Sequence, residues 1–169
     1  MSILTTPERL AQMMIDCHES IVAAYHYTQE AIDQIERPCF LIFVEDASLE
    51  NTTVDQEVVS QGYSLAYVGQ PFTGLGDAAL TLEYEKLARI VAEASLIYLL
   101  EHPQMQLSND RALFGTDPLV GLTGVQQLIV NSRSGVTLFS RDGVEADAFW
   151  GFTLDITIKE QIVYETVGY

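Results

Sequence analysis

The stretch from Gln70 to Leu80, QPFTGLGDAAL, contains the residues of this chain that most resemble a ligand-binding loop. Gly74 and Gly76 lie between an alternating apolar run and a long amphipathic run, where phosphate-binding loops occur. A dinucleotide loop needs a third glycine where this chain has Ala79 or Leu80, and no Lys-Ser/Thr pair of a Walker loop follows. We interpret the glycines as a tight turn before a helix capped by Asp77. A small-ligand-binding or enzymatic domain that uses this turn stays open as an alternative.

The histidines and the acidic residues of the chain do not have the spacing that metal sites require. His18 and His26 are eight residues apart on a predicted helix, whereas two imidazoles that share a metal are commonly four apart. One acidic segment lacks the Asp-x-Asp-x-Asp-Gly pattern of a calcium loop. Its acids are Glu45, Asp46, Glu50, Asp55 and Glu57. We therefore predict no catalytic, cofactor or metal residues and no enzymatic activity, and interpret the segment as a solvated or lumen-facing charged ribbon.

Length and charge limit the classes of function. The chain has 169 residues, which suits one domain over residues 1–169, and a formal net charge of −16. Such a charge disfavours binding to nucleic acid or to an anionic membrane through phosphate neutralisation. Cys17 and Cys39 are the two cysteines, and we expect both to be structural thiols of a reduced, cytosolic protein without a secretory leader.

The first half of the sequence predicts a long helix and two strands. Thr5-Thr6-Pro7-Glu8 has the form of a capping box. Apolar and small residues then recur at steps of four and three, which predicts one amphipathic helix up to Arg37-Pro38. They are Leu10, Met14, Cys17, Ile21, Ala24, Thr28, Ile32 and Ile35. Residues 39–44 predict a buried strand, residues 45–57 a loop or protruding ribbon, and residues 59–67 an alternating strand.

The second half predicts another helix and further strands. Residues 77–102 have helical periodicity, and residues 104–122 form a long unpatterned segment that we interpret as a contact surface. Residues 125–131 and 136–140 are β-like, with a turn between them at Ser132–Gly135. From Trp150 to Ile158 apolar and polar residues alternate, which predicts a half-buried strand. The predicted fold is α+β: about four largely antiparallel or mixed strands, with two long amphipathic helices packed mainly on one face.

This order of elements resembles the tail terminator proteins of tailed bacteriophages. The resemblance covers roughly residues 8–165. It lies in a proline-led strand (Pro38–Phe43), an acidic segment, the strand Gln61–Tyr67, a long helix opening at Gly76-Asp77 and the closing strand Phe152–Thr157. It implies a subunit of a homo-hexameric ring that caps the tail tube, stops its polymerisation and presents a surface to the neck of the head.

The resemblance also implies partners and a location. The partners are the tail tube protein, a head-completion or stopper protein and, in a contractile tail, the sheath protein; DNA is passing cargo, and no membrane is involved. The location is the virion, and the host cytoplasm during assembly. Candidate channel or inter-subunit residues are Glu45, Asp46, Glu50, Asp55, Glu57, Asp110 and Asp117. A neighbouring neck or tail-completion protein, and a cellular scaffold of another oligomeric state, are the remaining alternatives.

Overall fold

Two helices and six strands are defined in the computed structural model, which describes residues 6–26, 35–52, 56–72, 78–103, 105, 123–140 and 148–163. They are α1 (Thr6–Asp16), β1 (Ala23–Tyr25), β2 (Cys39–Thr52), β3 (Gln56–Val68), α2 (Ala78–Glu101), β4 (Thr123–Arg133), β5 (Thr137–Ser140) and β6 (Ala148–Val163). The strands form one sheet in the order β1-β2-β3-β6-β4, and β5 also pairs with β6. β1 is parallel to β2, and the other strand pairs are antiparallel.

The predicted fold of about four strands and two long helices was wrong. The sheet has six strands, and α1 has 11 residues whereas α2 has 24. The predicted first helix ends at Asp16 because a turn follows, in which the imidazole of His18 accepts a hydrogen bond from the backbone N–H of Ser20 (3.1 Å). Further along the predicted stripe, residues 23–25 form β1.

β2 and β3 form a long antiparallel hairpin. Cys39 pairs with Val68 at one end, and Thr52 pairs with Glu57 at the other. The acidic segment, predicted as a loop or ribbon, therefore belongs to paired strands wherever it is described. The register shifts after Val44 and again after Leu49, as expected of β-bulges, which bend a strand and strengthen its twist.

β6 lies in the middle of the sheet although it is the last of the described strands. It pairs with β3 on one side and with β4 and β5 on the other. Phe152, Leu154, Ile156 and Ile158 are all buried, while the residues between them are only partly buried, as the alternation predicted. β3 and β6 approach closely at Gly151, where an added Cβ would lie 2.7 Å from the carbonyl oxygen of Tyr67. Only glycine fits this position without a shift of the backbone.

β4 and β5 run in the same direction along one side of β6. The turn predicted at Ser132–Gly135 is therefore wrong. Ser132 and Arg133 belong to β4, and the backbone N–H of Ser134 donates to the carbonyl oxygen of Thr153 (2.9 Å). The Ser134 hydroxyl accepts from the N–H of Thr153 (2.8 Å). Since both bonds keep the chain beside β6, this segment interrupts a strand without reversing it.

The main core lies between one face of the sheet and the two helices. Leu10, Met13 and Met14 of α1 and Ala88, Val91 and Leu99 of α2 pack with buried residues of β2, β3 and β6. The aromatic rings of Phe40, Tyr67 and Phe152 meet in this core, with centroids 5.1 to 5.9 Å apart. The indole of Trp150 is partly buried against the same cluster, and its Nε1–H donates to the carbonyl oxygen of Thr81 in α2 (3.1 Å).

Candidate functional site

Two acids of the candidate surface lie together at a bulge of β2. Glu45 and Asp46 are inserted opposite Gly62 of β3, between the paired residues Val44 and Ala47. A Cβ added to Gly62 would lie 3.3 Å from the Cβ of Glu45, so the glycine leaves room for this side chain. The Gln61 side chain donates a hydrogen bond to the carbonyl oxygen of Glu45. Both acids are exposed.

A shallow depression of about 580 Å³ lies beside this bulge. Its lining residues are Glu45, Asp46, Ser60, Gly62 and Thr157. Within the described residues, no group of three or more His, Cys, Asp or Glu side chains has an arrangement that could hold a metal ion. Carboxylates and hydroxyls alone provide negative potential and hydrogen-bond acceptors, which suits contact with a protein or exclusion of anions.

The remaining predicted acids are divided between the hairpin and other parts of the chain. Glu50 belongs to the outer part of β2, and Glu57 pairs with Thr52 at the outer end of β3. Asp55, Asp110 and Asp117 lie outside the described residues. The structure therefore brings together Glu45 and Asp46, and it places Glu50 and Glu57 in the same hairpin.

The histidines and the glycine turn of the sequence analysis do not form one site. His18 bonds to Ser20. His102 has its Nδ1 2.7 Å from the carbonyl oxygen of Tyr98 and stacks on that ring at 4.0 Å. Both contacts are local and belong to the ends of helices. The predicted turn at Gly74 and Gly76 lies outside the described residues.

Both cysteines are free thiols. Burial raises the pKa of Cys17 to about 12 and that of Cys39 to about 11. The Cys17 thiol also donates to the carbonyl oxygen of Met14 (3.0 Å). Since the thiolate is the reactive form, these side chains are poor nucleophiles at neutral pH.

Glu160 has a partly buried carboxyl group that was not among the predicted site residues. The Thr6 hydroxyl, at the start of α1, donates a hydrogen bond to Glu160 Oε1. Burial raises the pKa of this carboxyl, and the hydrogen bond opposes that rise in part. A signal was present in the sequence, because the alternation of β6 that buries Ile156 and Ile158 continues to Glu160 on the same face.

Several exposed apolar side chains were not predicted from the sequence. Phe43 and Val44 on β2 are 52% and 58% exposed. On α2 the exposed apolar side chains are Leu82, Ile90, Ile97 and Leu100. The sequence offered a signal, since α2 has apolar residues on more than one side. Exposed apolar side chains mark an interaction site where they form a contiguous patch.

None of the described helices has the length and apolar character needed to span a membrane. Compared with models of known protein families and with curated protein sequences, the chain matches none of them.

Proposed function

We propose that this protein is a structural subunit of a tailed-bacteriophage virion, a tail terminator whose copies form a six-membered ring on the tail tube. The proposal combines the resemblance in the order of elements with one observation of the structure. That observation is the exposed stretch of β2 over residues 43–47, which includes Glu45 and Asp46.

This segment is a surface that an isolated subunit does not use. Residues 43–47 of β2 are all exposed, and they include two large apolar side chains beside Glu45 and Asp46. β1 pairs with β2 only over residues 39–41, so it leaves the outer edge of β2 without a strand partner in the described sheet from residue 42 onward. An exposed strand edge with apolar side chains favours addition of another chain. A closed ring of subunits uses such an edge.

The negative charge of this segment suits the wall of a channel through which DNA passes. A ring at the end of the tube surrounds the path of DNA, and carboxylates facing that path repel the phosphates so that the polymer does not adhere. In this proposal the ring contacts the tail tube protein on one side and a neck or stopper protein on the other, with the sheath as a further partner in a contractile tail. The protein acts in the virion and assembles in the host cytoplasm.

Solution mass tests the assembly. Six copies of an 18.8 kDa chain have a mass of roughly 113 kDa, which light scattering separates from a monomer, dimer or trimer. Negative-stain images of the same sample should show rings. A protein that stays monomeric at high concentration, both alone and with tail tubes, would contradict the proposal.

Tails assembled without the protein test its role. A terminator stops polymerisation, so its absence should give overlong tubes that lack heads. Tubes of normal length that lack heads would instead indicate a neighbouring neck protein. Tubes of normal length that still join heads would refute both roles. A thermal-shift series with nucleotides tests the alternative of a ligand site at the Gly74–Gly76 turn, since a ligand that binds the folded state raises Tm.

A further inference from the structure

The outer edge of β2 is the part of the described sheet that is most open to another strand. β1 covers this edge only as far as Leu41. Phe43 and Val44 point to opposite faces of the sheet, as consecutive strand residues do, and both are more than half exposed. A strand edge with exposed apolar side chains on both faces commonly pairs with the edge of another chain unless the protein prevents it.

The register of β2 is interrupted twice beyond the part that β1 covers. At the first bulge Glu45 and Asp46 stand opposite a single residue of β3, and at the second Glu50 is the extra residue. These three are the acidic residues of β2. None of the regular stretches beyond Leu41 is longer than three residues, whereas strands commonly pair over about 5–6 residues. An added strand could therefore follow this edge for only a few hydrogen bonds.

In the described sheet, the bulges lie in the outer strands. β4, at the other end of the strand order, also contains two, at Gln126 and Asn131. The central pair of β3 and β6 keeps one register along the whole of β3. This distribution is the one that protects sheet edges, because a bulge twists the edge and interrupts its row of N–H and C=O groups.

The other outer edges are protected in further ways. β1 has 3 residues and β5 has 4, and such short edge strands offer little backbone to a partner. On β4, the backbone N–H of Leu128 donates to the carbonyl oxygen of Pro103 (2.8 Å), so the segment after α2 covers part of this edge. Residues 43–47 of β2 are exposed instead, and their protection consists of the bulge and its charges.

We infer that the acidic bulges of β2 are a barrier that prevents two copies of the protein from joining their sheets edge to edge. In an antiparallel contact between two copies over residues 43–47, Glu45 and Asp46 of both copies come together, and like charges that face each other across strands are destabilising. The interrupted register removes backbone hydrogen bonds that would offset this repulsion. The inference goes beyond the proposed ring: neighbours in a ring can use this edge through its side chains, without forming one continuous sheet.

Deletion of Asp46 together with Glu50 tests the barrier. Each deletion removes one extra residue and leaves the pairing on both sides of the bulge in its register. The edge then has an uninterrupted row of backbone groups, and we expect edge-to-edge association at a protein concentration at least about tenfold lower than in wild type. Light scattering measures the mass, and hydrogen exchange should show that the amides of residues 43–47 become protected as the copies associate.

Two substitution variants separate the local charge from the net charge. Glu45→Gln/Asp46→Asn keeps both bulges and should associate more readily than wild type, although less readily than the deletion variant. Glu19→Gln/Glu36→Gln removes the same charge from two exposed acids elsewhere and should behave like wild type. Far-ultraviolet circular dichroism checks the folding of each variant. If the deletion variant does not fold, the comparison of these two substitution variants decides.

Two results would overturn the barrier. One is a Glu45→Gln/Asp46→Asn variant and a folded deletion variant that both keep the concentration dependence and the amide exchange of the wild type. The other is a Glu19→Gln/Glu36→Gln variant that associates as readily as Glu45→Gln/Asp46→Asn, since net charge alone would then account for the effect. The ring proposal depends on the mass of the wild type and on rings in its images, so the two proposals can fail separately.

Discussion

Replacement of Trp150 by alanine should remove a main attachment between α2 and the sheet. The indole packs against the core cluster, and its Nε1–H bonds to Thr81. A mostly buried indole removes about 150 Å² of surface from water, which at about 25 cal/mol per Å² is worth nearly 4 kcal/mol. The hydrogen bond adds about 1 kcal/mol at most, since the Thr81 carbonyl also lies within α2. We expect Trp150→Ala to lower the free energy of unfolding by about 4 kcal/mol.

For a domain of this size such a change lowers Tm by roughly 8–16 °C. The assay is thermal unfolding followed by far-ultraviolet circular dichroism, since Trp150 is the only tryptophan and its removal abolishes the usual fluorescence signal. Trp150→Phe is the matched control: it keeps an aromatic ring and loses the hydrogen bond, so it should cost about 1–2 kcal/mol. A Tm within about 2 °C of wild type for the alanine variant would refute the packing argument. If both variants lost the same free energy of unfolding, the hydrogen bond of Trp150 would contribute more to stability than its burial does.

Three further predictions concern the strand contact, the buried carboxyl group and the thiols. Gly151→Ala should destabilise the fold by about 1–3 kcal/mol because its Cβ meets a backbone oxygen of the adjacent strand, whereas Gly135→Ala, where a Cβ meets nothing within 4 Å, should change the melting temperature little. Since burial raises the pKa of Glu160 in the folded state, ionisation destabilises that state; Glu160→Gln should therefore melt above wild type at neutral pH, and the difference should vanish below the ordinary glutamate pKa of 4.5. A difference that persists or grows in acid would contradict this sign. Cys17 and Cys39 should react slowly with a thiol reagent at pH 8 in the folded protein and rapidly once it is denatured, as followed by mass spectrometry; equal rates would show that burial does not protect the thiols.

Two long elements were predicted correctly in type. The bounds of α2 agree with the predicted helix over residues 77–102, and the alternation from Trp150 to Ile158 agrees with the burial of β6. In β6 one buried face dominates the pattern, whereas α2 has apolar residues on more than one side and was recognisable from its length and from the His102-Pro103 stop. The first helix was predicted too long because Ile21 and Ala24 fit a helical stripe by position, although they lie in a turn and in β1. An apolar residue contributes to a core from any backbone conformation, so the stripe did not exclude a strand.

The length of the β2–β3 hairpin could not be predicted from the alternation of apolar and polar residues. Residues 43–47 of β2 are all exposed, so this part of the strand has no buried side that would produce an alternating pattern. The same exposure limited the prediction of the candidate site. Acids at Glu45 and Asp46 were recognisable from composition, but the bulge that groups them opposite Gly62 depends on the register between two strands. The exposed side of α2 was missed because one apolar stripe was enough to account for the helix.

The central position of β6 has a consequence for synthesis of the protein. β3 finds its inner neighbour only in residues 148–163, and the register joins Gln56 to Val163 and Tyr67 to Phe152, pairs that are far apart in sequence. While the chain is being synthesised, the buried side chains of β3 and α2 lack the strand β6 that covers them in the folded protein. β4 and β5 also lack their pairing strand until β6 has been made. Contacts of such long range slow folding and expose apolar surface on the way. An incomplete chain therefore exposes apolar surface until β6 has been synthesised, which favours its aggregation.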